Sequence, residues 1–381
     1  MDLSLSESAL LLQKTVRDFA EREIAPVARQ LDQSETFPRE LVKKLAGLGV
    51  QGLTISPEHG GAGGGTTETT IVMEELSRVY AGIATIYSVQ VGLCGSVIER
   101  FASAAQRKRY LPSLVRGDTI AAYALTEPNA GTDAAALETT ATRRDGGYVL
   151  NGSKTFISCG DVADLFVVFA TVDKAKRDKG ITAFLVERGK GMTTRKQSGK
   201  MGIIASTTAE VLMEDMLVPD SARVGDDGEG FKIAMQILDT SRIGVAAQAL
   251  GIAQAALDAS VAWAQQRRTF GRPIAEHQGV AFMLADMATQ VDAARLLTYR
   301  AAALRDAGQP FAKESAMAKL FASETASAVA GKAVQVHGGY GYFKDSIVER
   351  CYRDAKITEI YEGTSEVQRI VIARNLVGKG R

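Results

Sequence analysis

The feature that most constrains this chain is the stretch from Phe231 to about Arg267, which contains no proline and few breakers. As one helix it would be about 55 Å long at 1.5 Å per residue. Two more long helices are expected after it. Glu276 to about Ala307 ends at Gly308 and Pro310, and Phe311 to about Val336 ends at Gly338-Gly339. Ala-rich helices of this length, apolar on more than one side, suggest a bundle that also buries surface against other subunits. A shorter segment, Ser346 to Asp354, then leads to a polar turn and a last helix.

That turn, Ile360-Tyr361-Glu362-Gly363-Thr364-Ser365-Glu366-Val367-Gln368, carries the chemistry-bearing residue of the C-terminal part. Ser365 followed by Gln368 reads as an N-cap and capping box. Val367, Ile370, Val371 and Leu376 fit one apolar helix face. Glu362 precedes the helix, and Gly363 beside it permits positive φ or close approach to a ligand. The helix terminus favours a charged Glu362, whereas burial beside an apolar ligand favours a neutral one. A carboxylate tuned upward suits a general base near neutral pH. Simple complementation of the helix dipole is the alternative.

The earlier chain differs in texture. Residues 1–118 read as helices, with Leu12, Val16, Phe19, Ala20, Val27 and Leu31 in the first stripe, and Leu41, Leu45 and Leu48 in the second. Thr67 to Tyr80, Ala84 to Phe101 and Gln106 to Arg116 follow as helices. The Gly-rich stretch 57–65 has neither P-loop nor dinucleotide context and reads as a connector. Residues 119–228 read as short strands, with turn signals at Asp145-Gly146-Gly147 and Asn151-Gly152. Leu165 to Ala170 and Ile181 to Val186 are the strongest, and Glu210 to Met213 and Asp215 to Val218 the weakest. The expected fold is α+β: an N-terminal helical domain (1–118), a middle antiparallel β-barrel or sandwich (119–228) and a C-terminal long-helix bundle (229–381). Trp263 and the methionines at helical spacing read as core.

Composition narrows the function classes. A net charge of +1 over 381 residues gives no electrostatic case for nucleic acid or an anionic membrane. No run of eighteen apolar residues suggests a membrane span. Met1-Asp2-Leu3-Ser4-Leu5-Ser6-Glu7 resembles neither a signal nor a transit peptide. Cys94, Cys159 and Cys351 are far apart, which fits a reducing cytoplasm and argues against a disulfide framework or zinc site. His59, His277 and His337 show no metal-ligand spacing, so no metal is expected.

Several motifs then converge. Tyr123-Ala124-Leu125-Thr126-Glu127-Pro128-Asn129-Ala130-Gly131-Thr132-Asp133 resembles one signature of the acyl-CoA dehydrogenases. Gln335-Val336-His337-Gly338-Gly339-Tyr340-Gly341, with Tyr361-Glu362-Gly363-Thr364, resembles the other. Gln266-Arg267-Arg268-Thr269-Phe270-Gly271 and His277-Gln278 also match, and the resemblance covers essentially the whole chain. It implies an FAD enzyme oxidising an acyl-CoA thioester to the trans-2-enoyl-CoA, with Glu362 as the base. Some members carry the base on the first long C-terminal helix; here Ser241 of Asp239-Thr240-Ser241-Arg242 occupies that place and cannot serve.

The resemblance also implies the remaining site. Tyr123, Leu125, Thr126 and Thr132 would line the flavin, Thr132 also the acyl pocket. Phe156, Ile157 and Ser158 stand where many members have Trp-Ile-Thr beside the isoalloxazine. Arg267, Thr269, Phe270, His277, Gln278, Gln335, Val336, Gly338 and Gly339 resemble groups holding the FAD pyrophosphate and adenine across a subunit boundary. A solvated Arg267 and a capping His277 are the alternatives. Thr364, Ser365 and Glu366 would contact FAD; Asp239, Arg242, Tyr361 and Gly363 would face the substrate. Arg242 could instead simply pair with a neighbouring carboxylate. Ala84-Thr85 offers no cation for a dicarboxylate tail, and Ile86, Tyr87 and Leu93 would floor a short pocket. The chain looks most like bacterial short-chain (butyryl-type) members. A short branched substrate, an oxygen-using oxidase and a non-catalytic binding subunit are the alternatives. Electron-transfer flavoprotein as acceptor, and a homotetramer built as a dimer of dimers, are implied as well.

Overall fold

Apolar residues at helical spacing draw the first part of the chain into one helical unit. A computed structural model describes residues 5–378; residues 1–4 of the N-terminal reading lie outside it. Ser6 caps α1 (Glu7–Phe19), its hydroxyl accepting the Ala9 N–H at 3.2 Å. A π turn at Ala20–Ile24 continues into α2 (Ala25–Ser34), so Val16, Phe19, Ala20, Ile24 and Ala28 all reach the core. Leu41, Val42 and Leu45 anchor α3 (Arg39–Gly47). The Gly-rich stretch folds back on the chain before it, Gly63 and Gly64 donating to Ile55 and Leu53 carbonyls at 2.9 and 2.6 Å. Asp306, remote in sequence, accepts the free N–H groups of Thr66 and Thr67 at 2.6 and 2.8 Å and so starts α4 (Thr66–Tyr87). This helix breaks at Tyr80, where two separate helices were expected to part. It passes through a π turn (Ser88–Gly95) into α5 (Ser96–Phe101), and α6 (Ala104–Val115) follows.

The middle of the chain forms one eight-stranded sheet. Its strands are β1 (Ala121–Ala124), β2 (Thr140–Arg144), β3 (Gly147–Ser158), β4 (Leu165–Thr171), β5 (Ile181–Glu187), β6 (Met192–Lys196), β7 (Thr208–Pro219) and β8 (Arg223–Val224). The order is β6-β7-β3-β2-β4-β5-β8, with β1 alongside β4. The expected middle β-domain is present, but the antiparallel barrel or sandwich is corrected to a mixed sheet that does not close. Ala121 of β1 lies opposite Leu165 in parallel, and β2 meets β4 in parallel at Thr140 and Thr171. Strand β4 lies between β1 and the antiparallel β5, is buried throughout and reads as an unbroken apolar run. Each fully buried Val, Leu or Phe there contributes about 1.5–3 kcal/mol.

One expected hairpin is instead a bulge. Asn151-Gly152 lies inside β3, where the register shifts against β7. Gly152 has φ +147°, and a Cβ would stand 2.5 Å from the Thr139 hydroxyl. Asn151 accepts the Asp215 N–H at 2.8 Å across the bulge. The two weak strands expected around Asp215 are one strand, bent where Asp215 takes φ +46°.

The bundle comprises α7 (Gly230–Gln266), a short β9–β10 hairpin (Arg268–Thr269, Arg272–Pro273), α8 (Gln278–Asp306), α9 (Ala312–His337), α10 (Ile347–Ile357) and α11 (Ser365–Val377). Helices α7 and α9 pack closely because they meet through small residues, Ala246, Ala249, Ala253 and Ala256 against Ala318, Ala322, Ala326 and Ala330. The α4–α5 stretch and α7 are long and apolar enough to cross a membrane. However, 94% and 72% of their apolar windows are buried inside the protein, so both are core helices. Trp263, expected in the core, is half-buried and stacked on His337 with ring centres 5.2 Å apart. Ile370 and Leu376 of the expected apolar face of α11 stay exposed in the single chain.

Candidate active site

Glu362 stands on the turn between α10 and α11, and both Glu362 and Gly363 have positive φ, +54° and +95°. For Gly363 this is free; a side chain at Glu362 costs about 1–2 kcal/mol. A Cβ on Gly363 would also lie 2.7 Å from the Gln368 amide nitrogen. Side chains from α7, α9 and α11 hold this conformation. The Tyr361 hydroxyl bonds the Gln248 amide oxygen, and the Gln248 NH2 donates to Thr85 Oγ1 at 2.8 Å and the Ala81 carbonyl at 3.1 Å. The Gly363 carbonyl accepts from Lys319 Nζ at 2.8 Å and Gln368 Nε2 at 2.7 Å. Arg242 Nε approaches the Glu362 carbonyl at 3.4 Å while its NH1 pairs with Asp239 at 2.6 Å.

Removing the Tyr361 hydroxyl should show how much this network contributes. Tyr361→Phe leaves the Gln248 oxygen buried without a donor. The expected loss is about 1–3 kcal/mol, read as a lower urea midpoint. An unchanged midpoint would mean that the network does not hold the turn.

The helix start differs from expectation. Thr364, not Ser365, is the N-cap of α11, its hydroxyl accepting the Val367 N–H at 3.4 Å. The Ser365 N–H donates to the Glu359 carbonyl at 3.0 Å and Gln368 Nε2 to the Gly363 carbonyl, so Ser365 and Gln368 form no capping box. Ser365 sits one residue inside the helix, and its hydroxyl is buried without a partner among the described residues.

Electrostatics single out Glu362. Burial raises its pKa above the usual carboxylate range, opposed by the Ser241 hydroxyl and then by Lys319 and Arg242. Its Oε2 has no hydrogen-bond partner among the described residues, and neither does the buried Tyr123 hydroxyl, which feels Cys94 and Glu362. Ser241, at the place of the alternative base, thus faces the same carboxyl. Burial also pushes Lys319 down to about 8 against the pull of Glu362, and raises Asp239 despite Arg242.

The other expected residues fall into two groups. Near β1, Tyr123 packs on Phe169 with ring centres 5.1 Å apart, and Thr126 accepts the Thr155 N–H at 2.9 Å through its carbonyl. Leu125 is held through its carbonyl by Lys154 at 3.1 Å, and Lys154 pairs with buried Glu127 at 2.7 Å. Thr132 is exposed. Phe156 is 69% exposed with φ +58°, its N–H donating to Gln197 Oε1 at 3.1 Å; Ile157 is buried and Ser158 half-buried. Glu366 is exposed on the first turn of α11, where the Thr364 hydroxyl holds its carboxylate below the usual range.

The second group lies around the β9–β10 hairpin. Arg267 sits over the Tyr340 ring, 5.6 Å from its centre, which joins the hairpin to the segment holding Gln335, Val336, Gly338 and Gly339. His277 is placed between Thr269 Oγ1 at 3.0 Å and Arg272 at 3.2 Å. Phe270 is 96% exposed, and Gln278 opens α8. Sequence reading did not single out Lys319, Gln248, Lys154 or Gln197. The available signal for Lys319 and Gln248 was a lone polar residue inside an apolar run, Ala316 to Ala322 and Val245 to Ala253.

A buried carboxyl on a strained turn, where a helical bundle meets an open sheet, is an arrangement that acid–base sites share. The models of three consecutive domains identify the family. Acyl-CoA dehydrogenase, N-terminal domain, matches residues 6–118; the middle domain matches 122–216 and the C-terminal domain 228–377. The short-chain specific acyl-CoA dehydrogenase of Clostridium acetobutylicum is 49% identical over 374 residues, 98% of this chain and 99% of that protein. An acryloyl-CoA reductase (NADH) of Anaerotignum propionicum is also 49% identical, over 380 residues, 99% of this chain and 96% of that protein. The structure of butyryl-CoA dehydrogenase from Megasphaera elsdenii has a TM-score of 0.96 at 45% identity, covering 99% of this chain and 100% of that one. The chain belongs to the acyl-CoA dehydrogenase family, whose members are flavin-dependent oxidoreductases.

Proposed function

We propose that this enzyme converts a short-chain acyl-CoA to the trans-2-enoyl-CoA, with Glu362 removing the α proton. The observation that carries this reading is the buried Glu362 carboxyl with one oxygen unpartnered among the described residues. Burial supplies the upward push that a base near neutral pH needs, and Ser241, Lys319 and Arg242 limit it. The Glu362 N–H makes no hydrogen bond among the described residues. It suits the thioester carbonyl oxygen, which gains charge as the α C–H bond breaks.

Tyr123, Leu125, Thr126, Thr132, Phe156, Ile157, Ser158, Thr364, Ser365 and Glu366 would hold the flavin end of FAD. Unpartnered buried hydroxyls on Tyr123 and Ser365 and an exposed Phe156 ring fit a planar cofactor with a polar rim. FAD, when bound, supplies the acceptor for the β hydride. The Arg267, Thr269, Phe270, His277, Gln278 and Gln335–Gly339 group would serve its pyrophosphate and adenine, a role suited to a guanidinium. Asp239, Arg242, Thr132, Tyr361 and Gly363 would face the thioester and CoA. Electron-transfer flavoprotein as acceptor, a homotetramer, a cytoplasmic location and domain boundaries at 118/119 and 228/229 belong to the same proposal. The exposed Ile370 and Leu376 suit such an assembly.

Short chain length rests on the similarity to short-chain relatives and on buried Ile86, Tyr87 and Leu93. Anaerobic titration with butyryl-CoA should bleach the flavin; a yellow protein that does not bleach would reject this substrate. The equally similar acryloyl-CoA reductase favours a second reading, in which the same site runs in reverse and Glu362 returns the proton to the α carbon. Turnover of acryloyl-CoA with NADH, and none of butyryl-CoA, would select it. In the forward direction kcat/KM should rise with pH through a value above the ordinary glutamate value of 4.5, because Glu362 must lose its proton to act. A profile already flat at pH 5 would contradict the raised base.

A further inference from the structure

We infer that Lys319 is a positioning residue for the base: from α9 it fixes the Gly363 carbonyl and supplies the cation that faces the Glu362 carboxyl. This rests on the reading of Glu362 as base. Fully buried lysines are rare and costly unless something uses the charge. Lys319 is 0% exposed, in the Ala-rich core of the bundle, and its Nζ donates to the Gly363 carbonyl at 2.8 Å. Glu362 and Gly363 are the two consecutive positive-φ residues of the turn, so a fixed Gly363 carbonyl also fixes the base.

Charge accounting points to the same residue. Glu362 is faced by Ser241 and Arg242 from α7, Lys319 from α9 and Tyr123 from β1; Cys94, on the π turn after α4, lies beyond Tyr123. Arg242 is already engaged by Asp239 at 2.6 Å. Lys319 is faced by Glu362, Arg242, Glu359 and Glu366, and it donates to a neutral carbonyl. It is thus the cation on this turn that no contacting carboxylate neutralises. Removing it makes the Glu362 carboxylate harder to form, which moves the base limb to higher pH.

The test compares Lys319→Met and Lys319→Gln holoenzymes with the parent. Ionisation of Glu362 is read without substrate, as the carboxyl infrared band absent from Glu362→Gln, followed against pH. Both variants should move that ionisation, and the rising limb of kcat/KM, upward by about one pH unit or more. At neutral pH kcat/KM should fall by up to about 10-fold for each pH unit of that shift and largely recover in alkali. Lys319→Gln, which keeps a donor for Gly363, carries the test if the methionine disturbs folding. Unchanged Glu362 ionisation, with activity lost equally at every pH, would overturn the inference and leave Lys319 a structural staple. The infrared titration needs no turnover, so its failure counts against Lys319 alone. Failure of the parent enzyme to bleach with any acyl-CoA counts against the dehydrogenase reading.

Discussion

Glu362→Gln should lower turnover about 10³–10⁴-fold while leaving the protein folded and its flavin content unchanged. The size follows from losing a positioned general base, which contributes typically 10²–10⁴-fold. Folding should survive because Gln has nearly the same shape, and Arg242, Lys319 and Gln368 grip the backbone of the turn rather than the carboxyl. Stability gives an independent check with a definite sign. The folded pKa of Glu362 is raised by burial. Its contribution to stability is therefore fully present below the ordinary glutamate value and lost as pH rises through the folded value. The variant escapes that loss, so its melting temperature should equal or exceed the parent's at neutral pH, with the gap closing as pH falls. Turnover retained at parental levels would remove Glu362 from the reaction. Inactivity accompanied by a collapse in melting temperature would instead make it a structural residue.

What the sequence made legible was whatever is decided locally. The expected helix over Phe231–Arg267 is observed at Gly230–Gln266, because an alanine-rich stretch without proline favours helix locally. The break near Tyr80 was also local. Asn151-Gly152 misled because the dipeptide favours a hairpin turn by itself, whereas its real partner is Asp215, far along the chain. The parallel pairing of β1 with β4 was hidden for the same reason, since nothing within β1 encodes its neighbour. At the site, the positive-φ turn could be anticipated from Gly363. The shift of the cap from Ser365 to Thr364 could not, because it depends on a carbonyl that Lys319 and Gln368 capture from elsewhere.

Lys154→Met should cost roughly 3–5 kcal/mol, since breaking one side of a buried ion pair strands the other charge. The Lys154 and Glu127 side chains are 0% and 2% exposed, with 2.7 Å between Nζ and Oε1. Burial works against the Glu127 charge, but Lys154, Thr139 and the Glu138 N–H more than offset it, so its pKa lies below the usual range. Burial takes Lys154 to about 8 in spite of Glu127, which leaves it mostly charged at neutral pH. Without the ammonium, Glu127 keeps the N–H donors of Glu138 and Thr139 at 2.6 and 3.1 Å but loses its counter-charge. The loop from Thr126 to Asp133 then loses its anchor, because Lys154 also holds the Leu125 carbonyl at 3.1 Å. Flavin content should fall with stability if Thr126 and Thr132 serve the cofactor. Adding Glu127→Gln to Lys154→Met should recover much of the loss, because no isolated charge then remains buried. Urea unfolding of the two single variants and the double variant closes the cycle. A loss below about 1 kcal/mol for Lys154→Met, or a double variant no better than the single, would mean that the pair does not hold this loop.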